Sequence, residues 1–199
     1  YALYRPLHRL PEAAGVVGSL PMPAGSLFAE LLRVQVAEPL QERELARSVR
    51  SLTPIADATS REVQAQYEDN PYPRWHRLPG LQGPSADPDE GPPEGKLLVA
   101  GCGTGRQALS AAIASPRKRV LAVDLSRASL AYAQRKAAGM GVRNLEFAHA
   151  DLLALPATGL RFDAITSTGV IHHLRDPGEG LKALRALMAH DTGLKLAVY

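Results

Sequence analysis

The residues of this sequence most suited to chemistry begin with Gly101-Cys102-Gly103-Thr104-Gly105. Glycines are needed where a chain turns tightly and where a ligand must approach without meeting a Cβ, and a helix starting directly after such a loop points its unpaired first amides at what binds there. An ordinary glycine-rich turn is the plain alternative. The loop departs from the dinucleotide fingerprint G-x-G-x-x-G, because Arg106 holds the position of the third small residue, and from the phosphate loop, because no G-K-[ST] follows. A nicotinamide dehydrogenase is thereby the weakest enzymatic alternative. Asp124, 23 residues after Gly101, is a carboxylate able to accept hydrogen bonds from both hydroxyls of a ribose. Asp151 can accept from an exocyclic amino group of adenine. A lone aspartate at a strand end is more often a helix cap or turn residue, but two of them downstream of the glycine loop point to a nucleoside. His172 and His173 titrate near neutral pH and could take a proton from an acceptor, or could simply cap a strand end. Cys102 reads as a small filler, since nothing close in sequence would lower its pKa. As the single cysteine, it offers no Cys/His spacing for zinc, and no metal is expected.

These residues need elements to hold them. Leu97–Ala100, Val120–Val123, Leu145–Ala148, Phe162–Thr166 and Leu194–Tyr199 read as five strands, with helices over about 105–114, 127–138 and 178–189 and a weaker element near 152–160. Strands alternating with helices predict right-handed crossovers and a doubly wound, mostly parallel Rossmann-like α/β sheet, whose ligands bind at the carboxyl ends of the strands. Gly101, Asp124 and Asp151 all fall at such ends. Residues 1–78 read as an N-terminal helical segment: Phe28, Leu31, Leu32 and Val36 repeat at helical spacing, a second helix follows with Pro39 in its first turn, and a third is predicted to start at Thr59 through a Thr59/Glu62 capping box. Asn70-Pro71 should end it. Between them and the sheet, residues 79–95 hold five prolines and four glycines, which marks a linker or loop, and the α/β domain covers 96–199.

No apolar run reaches the roughly 18 residues of a membrane span, and the single cysteine makes the cytoplasm the default compartment. The sequence starts at Tyr1 without an initiator methionine or apolar leader and reads as a piece of a longer chain. Its formal charge of +3 divides unevenly. Residues 1–94 carry 9 Lys/Arg against 13 Asp/Glu, and residues 95–199 carry 14 against 7. The basic residues of the second half are scattered and show no aromatic interleaving, so nucleic acid is an unlikely partner.

The four strand-end segments resemble, in order, the motifs of class I S-adenosylmethionine-dependent methyltransferases. Val99-Ala100-Gly101-Cys102-Gly103-Thr104-Gly105 is similar to the first motif, Val123-Asp124-Leu125-Ser126 to the second, Ala150-Asp151-Leu152 to the third, and Phe162 through Leu174 to the fourth. The resemblance implies S-adenosylmethionine as cofactor and S-adenosylhomocysteine as product. It puts Gly101, Cys102, Gly103 and Gly105 beneath the methionine part, Asp124 on the ribose, Leu125 against the adenine face, Asp151 and Leu152 at the adenine edge, and Thr168 on the fourth-strand side. His172 or His173 is the implied base, and the methyl acceptor, a protein or small molecule, is unidentified. A non-catalytic binding or scaffold module on the same fold is the alternative function. Gln66-Tyr67-Glu68-Asp69-Asn70-Pro71-Tyr72-Pro73-Arg74-Trp75 resembles a segment of bacterial methyltransferases that carry tetratricopeptide repeats upstream. Tyr67, Tyr72 and Trp75 are expected to pack that segment onto the sheet rather than to form a lid. Two departures stand out. Val99 replaces the acidic residue usual in the family, and the sequence ends near the fifth of seven strands, which implies an exposed sheet edge open to self-association.

Overall fold

In the computed structural model, residues 6–13, 15, 25–78 and 94–198 are described, apart from the side chain of Asp191. The predicted linker therefore lies almost wholly outside the described residues. The chain divides into two units, Tyr1–Ser48 and Val49–Tyr199.

In the first unit, helix α1 (Leu27–Leu32) starts at Ser26, whose hydroxyl accepts from the Ala29 N–H at 3.1 Å. The sequence predicts a break before Pro39; instead α1 runs through a widened π turn (Arg33–Ala37) directly into α2 (Glu38–Ser48). Proline has no N–H to donate and its ring collides with the carbonyl one turn back. The π turn, closed by Glu38 N–H donating to the Arg33 carbonyl, takes up that misfit without ending the helix. Leu32, Val36 and Ala13 form this unit's own small core.

The second unit is built on a five-stranded, all-parallel sheet: β1 (Lys96–Ala100), β2 (Arg119–Asp124), β3 (Leu145–His149), β4 (Phe162–Thr168) and β5 (Met188–Ala197), in the order β3-β2-β1-β4-β5. Helices α4 (Arg106–Ala114), α5 (Arg127–Gly139) and α6 (Pro177–Ala186) cover its faces. Side-chain alternation along β1 shows why both faces must be covered: Leu97 and Val99 enter one apolar cluster with α4 and α5, while Leu98 and Ala100 enter another with α6. The chain leaves β1 toward β2 on one side and returns to β4 on the other, so the switch point lies at the carboxyl ends of β1 and β4.

Three boundaries differ from the sequence expectation. Helix α3 (Ala58–Asp69) is capped by Asp57, which accepts from Ser60 N–H at 2.8 Å, not by Thr59. Both residue types cap helices, and Asp57 comes first in the chain with extended backbone. Helix α6 ends at Ala186 rather than 189, and β5 begins at Met188 rather than Leu194. The pairing jumps from Phe162↔Met188 to Ala164↔Gly193, and Thr192 Oγ1 donates to the Phe162 and Ala189 carbonyls at this irregularity. That polar insertion hides the first part of the strand from a hydrophobicity pattern. Helix α3 lies against α5 within the second unit.

Candidate functional site

Across the carboxyl edge of the sheet, β1 ends in the glycine loop and β2 in Asp124. The Gly101 and Cys102 N–H groups both donate to the Val123 carbonyl at 2.9 Å, so β2 holds the start of the loop. The Asp124 carboxylate then accepts from Gly103 N–H at 2.7 Å and from Ser126 N–H at 2.9 Å. Burial pushes its carboxyl pKa upward, and the N–H groups of Ser126, Gly103 and Leu125 oppose the shift. Gly103 N–H reaches Oδ2 and Ser126 N–H reaches Oδ1, and the carboxylate keeps acceptor capacity for a hydroxyl donor. Two glycines in the loop serve different ends. A Cβ on Gly105 (φ +81°) would stand 2.5 Å from Ala133 Cβ, so that glycine lets α4 and α5 approach. A Cβ on Gly103 (φ +51°) would meet nothing nearer than the Tyr72 carbonyl oxygen at 3.9 Å, so Gly103 is the position that leaves open space. Cys102 is buried, and burial followed by the charge of Asp124 pushes its thiol well above the ordinary range. A neutral thiol fits the filler reading.

Asp151 follows β3 but is only 2% exposed. Its Oδ1 accepts from Leu153 N–H at 3.0 Å, and its own N–H donates to Thr53 Oγ1 at 2.8 Å. One carboxylate oxygen thus does the turn-forming work weighed as the alternative for a strand-end aspartate. Leu152 is buried in the second apolar cluster, and Leu125 is partly buried.

The sequence reading missed how residues 49–78 run along this edge as a belt. Ser51 bridges His149 as a short parallel partner to the outer edge of β3, with Leu52 N–H donating to the His149 carbonyl and His149 N–H to the Arg50 carbonyl, both at 2.9 Å. Arg127 Nη1 donates to the Val49 carbonyl at 2.6 Å. Gln64 Nε2 donates to His149 Nε2 at 3.0 Å, which leaves Nδ1–H to donate to Ser51 Oγ at 2.9 Å. Burial, and then Arg127, lowers the pKa of this imidazole, in keeping with a neutral ring. Farther along, Ser126 Oγ donates to the Tyr67 carbonyl at 3.1 Å and Ala128 N–H to Glu68 Oε2 at 3.2 Å. Thr104 Oγ1 donates to the Pro73 carbonyl and Trp75 Nε1 to the Thr104 carbonyl. The belt therefore touches the ends of β3, β2 and β1 in turn. Trp75 is a core residue, as expected, whereas Tyr72 is 69% exposed.

On the β4 side, Gln107 Nε2 donates to Thr166 Oγ1 at 3.0 Å and to Thr168 Oγ1 at 3.3 Å. Val99, in register with Ala122 and Thr166, is fully buried and serves the core. Past β4, His172 is half-buried and His173 exposed, with ring centroids 4.1 Å apart. Burial, and then the neighbouring His172, lowers the pKa of His173. The Tyr67 ring meets His173 edge-on at 6.4 Å, so the helical end of the belt reaches the β4 side as well. The site thus brings together the glycine loop, Asp124, Leu125, Thr168 and the histidine pair around the switch point, while the Asp151 carboxylate bonds Leu153 N–H in its own turn and its backbone N–H bonds Thr53 of the belt. Among the described residues no His/Cys/Asp/Glu cluster could hold a metal, and no helix is long and apolar enough to cross a membrane.

Residues 97–191 match the family model for a methyltransferase domain. An uncharacterized protein of Synechococcus sp. is 32% identical over 167 residues, covering 73% of this chain and 38% of its own length. The tRNA (guanine-N(7)-)-methyltransferase of Rubrobacter xylanophilus is 36% identical over 107 residues, covering 54% of this chain and 45% of its own length. Among solved structures, the [4+2]-cyclase SpnF shares the fold with a TM-score of 0.50 at 21% identity, over 70% of this chain and 60% of its own. The chain spans less than half the length of either relative compared by sequence.

Proposed function

We propose that residues 97–191, which match a methyltransferase domain model, form a class I S-adenosylmethionine-dependent methyltransferase domain, and that the crevice at the ends of β1, β2 and β4 binds this cofactor for methyl transfer to a protein or small-molecule acceptor. The observation that carries the proposal is Asp124, a carboxylate fixed by Gly103 and Ser126 N–H groups beside an open glycine. A carboxylate there suits a ribose diol, and an unfilled Cβ position suits close approach of a ligand. When bound, the cofactor supplies an electrophilic methyl group on a sulfonium, which an acceptor lone pair displaces in line.

The chain's own contribution is to bind, orient and exclude water. In this proposal Asp124 holds the ribose, Leu125 lies against the adenine face, Asp151 and Leu152 border the adenine edge, and Gly101, Cys102, Gly103 and Gly105 lie beneath the methionine part. Thr168, paired with Gln107, closes the β4 side. His173 is the better placed of the two histidines to take an acceptor proton: it is exposed, and its lowered pKa keeps it neutral and basic at pH 7. The same reading puts the domain in a longer cytoplasmic protein. On the sequence resemblance of residues 66–75, tetratricopeptide repeats would lie upstream of the domain. Leu194 and Leu196, 36% and 38% exposed on β5, support self-association along that strand. The test is to follow transfer of label from methyl-labelled S-adenosylmethionine to panels of small amines, phenols, peptides and RNA, with formation of S-adenosylhomocysteine measured alongside. Label transferred to an acceptor by the wild type and lost in Asp124→Ala supports the proposal. Cofactor binding without transfer to any class would favour the scaffold reading instead.

A further inference from the structure

The inner side of the glycine loop is held by β2, through the Val123 carbonyl and the Asp124 carboxylate. Its outer side is held by residues that belong to none of the four strand-end motifs. Thr104, 2% exposed, donates through Oγ1 to the Pro73 carbonyl at 2.5 Å and accepts at its own carbonyl from the Trp75 indole N–H at 3.0 Å. Trp75 is itself fixed by α5: its backbone N–H donates to Tyr132 Oη at 2.9 Å, and the Tyr132 hydroxyl donates to the Trp75 carbonyl. The two rings meet edge-to-face at 5.9 Å, and Arg74, Arg135 and Lys136 stand over the Tyr132 ring.

A loop with three glycines at positive φ has more conformations to lose than any other composition would give it. If a ligand had to order it, the ordering would subtract from affinity; a loop fixed beforehand avoids that loss. We infer that Trp75 and Tyr132 are positioning residues for the cofactor, acting through Thr104 to hold the glycine loop in its binding shape. The inference rests on the loop being the cofactor cradle. Neither ring needs to touch the ligand, since both are buried. The consequence is a dependence of cofactor affinity on the Tyr132 hydroxyl of α5, which bonds the Trp75 backbone N–H and carbonyl. Trp75 is also the only tryptophan, so its fluorescence reports on the clamp directly.

Calorimetric binding of S-adenosylhomocysteine to the whole chain, with melting curves and Trp75 emission recorded on the same samples, tests this. Tyr132→Phe keeps the ring and removes the hydroxyl; Thr104→Val removes the loop's outer donor, and Thr104→Ser restores it. Ile165→Val, on β4 in the other apolar cluster, is the control for general destabilisation. The expected result is binding about tenfold weaker in Tyr132→Phe and Thr104→Val, near wild type in Thr104→Ser, and unchanged in Ile165→Val despite a lowered melting temperature. Ligand addition should leave Trp75 emission nearly unchanged in the wild type, whose loop is already fixed, and shift it more in Tyr132→Phe, whose loop the ligand must order. Equal binding by the wild type and Tyr132→Phe, or equal weakening in Ile165→Val, overturns the clamp alone. Failure of the folded wild type to bind overturns the cofactor reading, and the clamp with it.

Discussion

His149 fastens the belt to the sheet, and replacing it by leucine isolates how much that fastening contributes. The imidazole is 6% exposed and bonded at both nitrogens, to Ser51 Oγ and Gln64 Nε2. Leucine fills similar space and removes both bonds. Ser51 Oγ keeps its bond to the Thr53 carbonyl at 3.2 Å, and the partly exposed Gln64 can turn to water, so neither partner is stranded. The loss is then two ordinary hydrogen bonds, about 2 kcal/mol in all, which corresponds to a fall of about 4–8 °C in melting temperature for a unit of this size. The pH dependence has a definite sign. Burial and Arg127 lower the folded-state pKa of His149, so below about pH 6.5 the unfolded chain takes up a proton that the folded one refuses. Stability contributed by the neutral ring is complete above that pH and declines as pH falls toward the folded-state value. The gap between wild type and His149→Leu should therefore narrow from pH 7.5 to pH 5.5, because all other titrating groups are common to both proteins. Thermal melts across this range measure it. A gap below 1 °C at pH 7.5, or one that does not change with pH, would refute the role given to His149.

The two glycine positions should separate stability from binding. Gly105→Ala forces a methyl against Ala133 at positive φ and should cost about 2–5 kcal/mol by overpacking and strain together, read from chemical denaturation. Gly103→Ala meets no close neighbour and should cost about 1–2 kcal/mol while lowering affinity for S-adenosylhomocysteine far more than that; normal affinity would show that the open side of Gly103 is not where the ligand lies. Cys102, with its thiol pushed upward by burial and by Asp124, should react with iodoacetamide at pH 7.5 at least about tenfold more slowly than free cysteine. A rate near that of the free thiol would show that the loop opens to solvent.

Much of the α/β half is legible in the sequence because β1 to β4 hold short apolar runs alternating with helical stretches, some with a clear start signal, as with Asp124-Leu125-Ser126, where Ser126 caps α5. Asp124 stands out as a candidate by its place at the end of the second strand, 23 residues after Gly101, taken together with Asp151. What was not legible depends on contacts far apart in sequence. Nothing local says that Ser51 would pair with β3 or that Gln64 would reach His149 across 85 residues. Pro39 reads as a helix start, and only the π turn before it shows how the helix continues. The same limit applies to Trp75, whose aromatic character predicted burial correctly but whose indole bond to the Thr104 carbonyl has no sequence signature. Asp151 shows the converse case: its position matches a motif, yet its burial and turn bond are visible only in three dimensions.

The most direct test of the central claim is calorimetric titration of S-adenosylmethionine and S-adenosylhomocysteine into the wild-type chain and into Asp124→Ala. Saturable one-to-one binding of both ligands by the wild type, lost in a folded Asp124→Ala, is the result predicted by a cofactor site at the end of β2. Absence of binding by the folded wild type, or undiminished binding by Asp124→Ala, would contradict it.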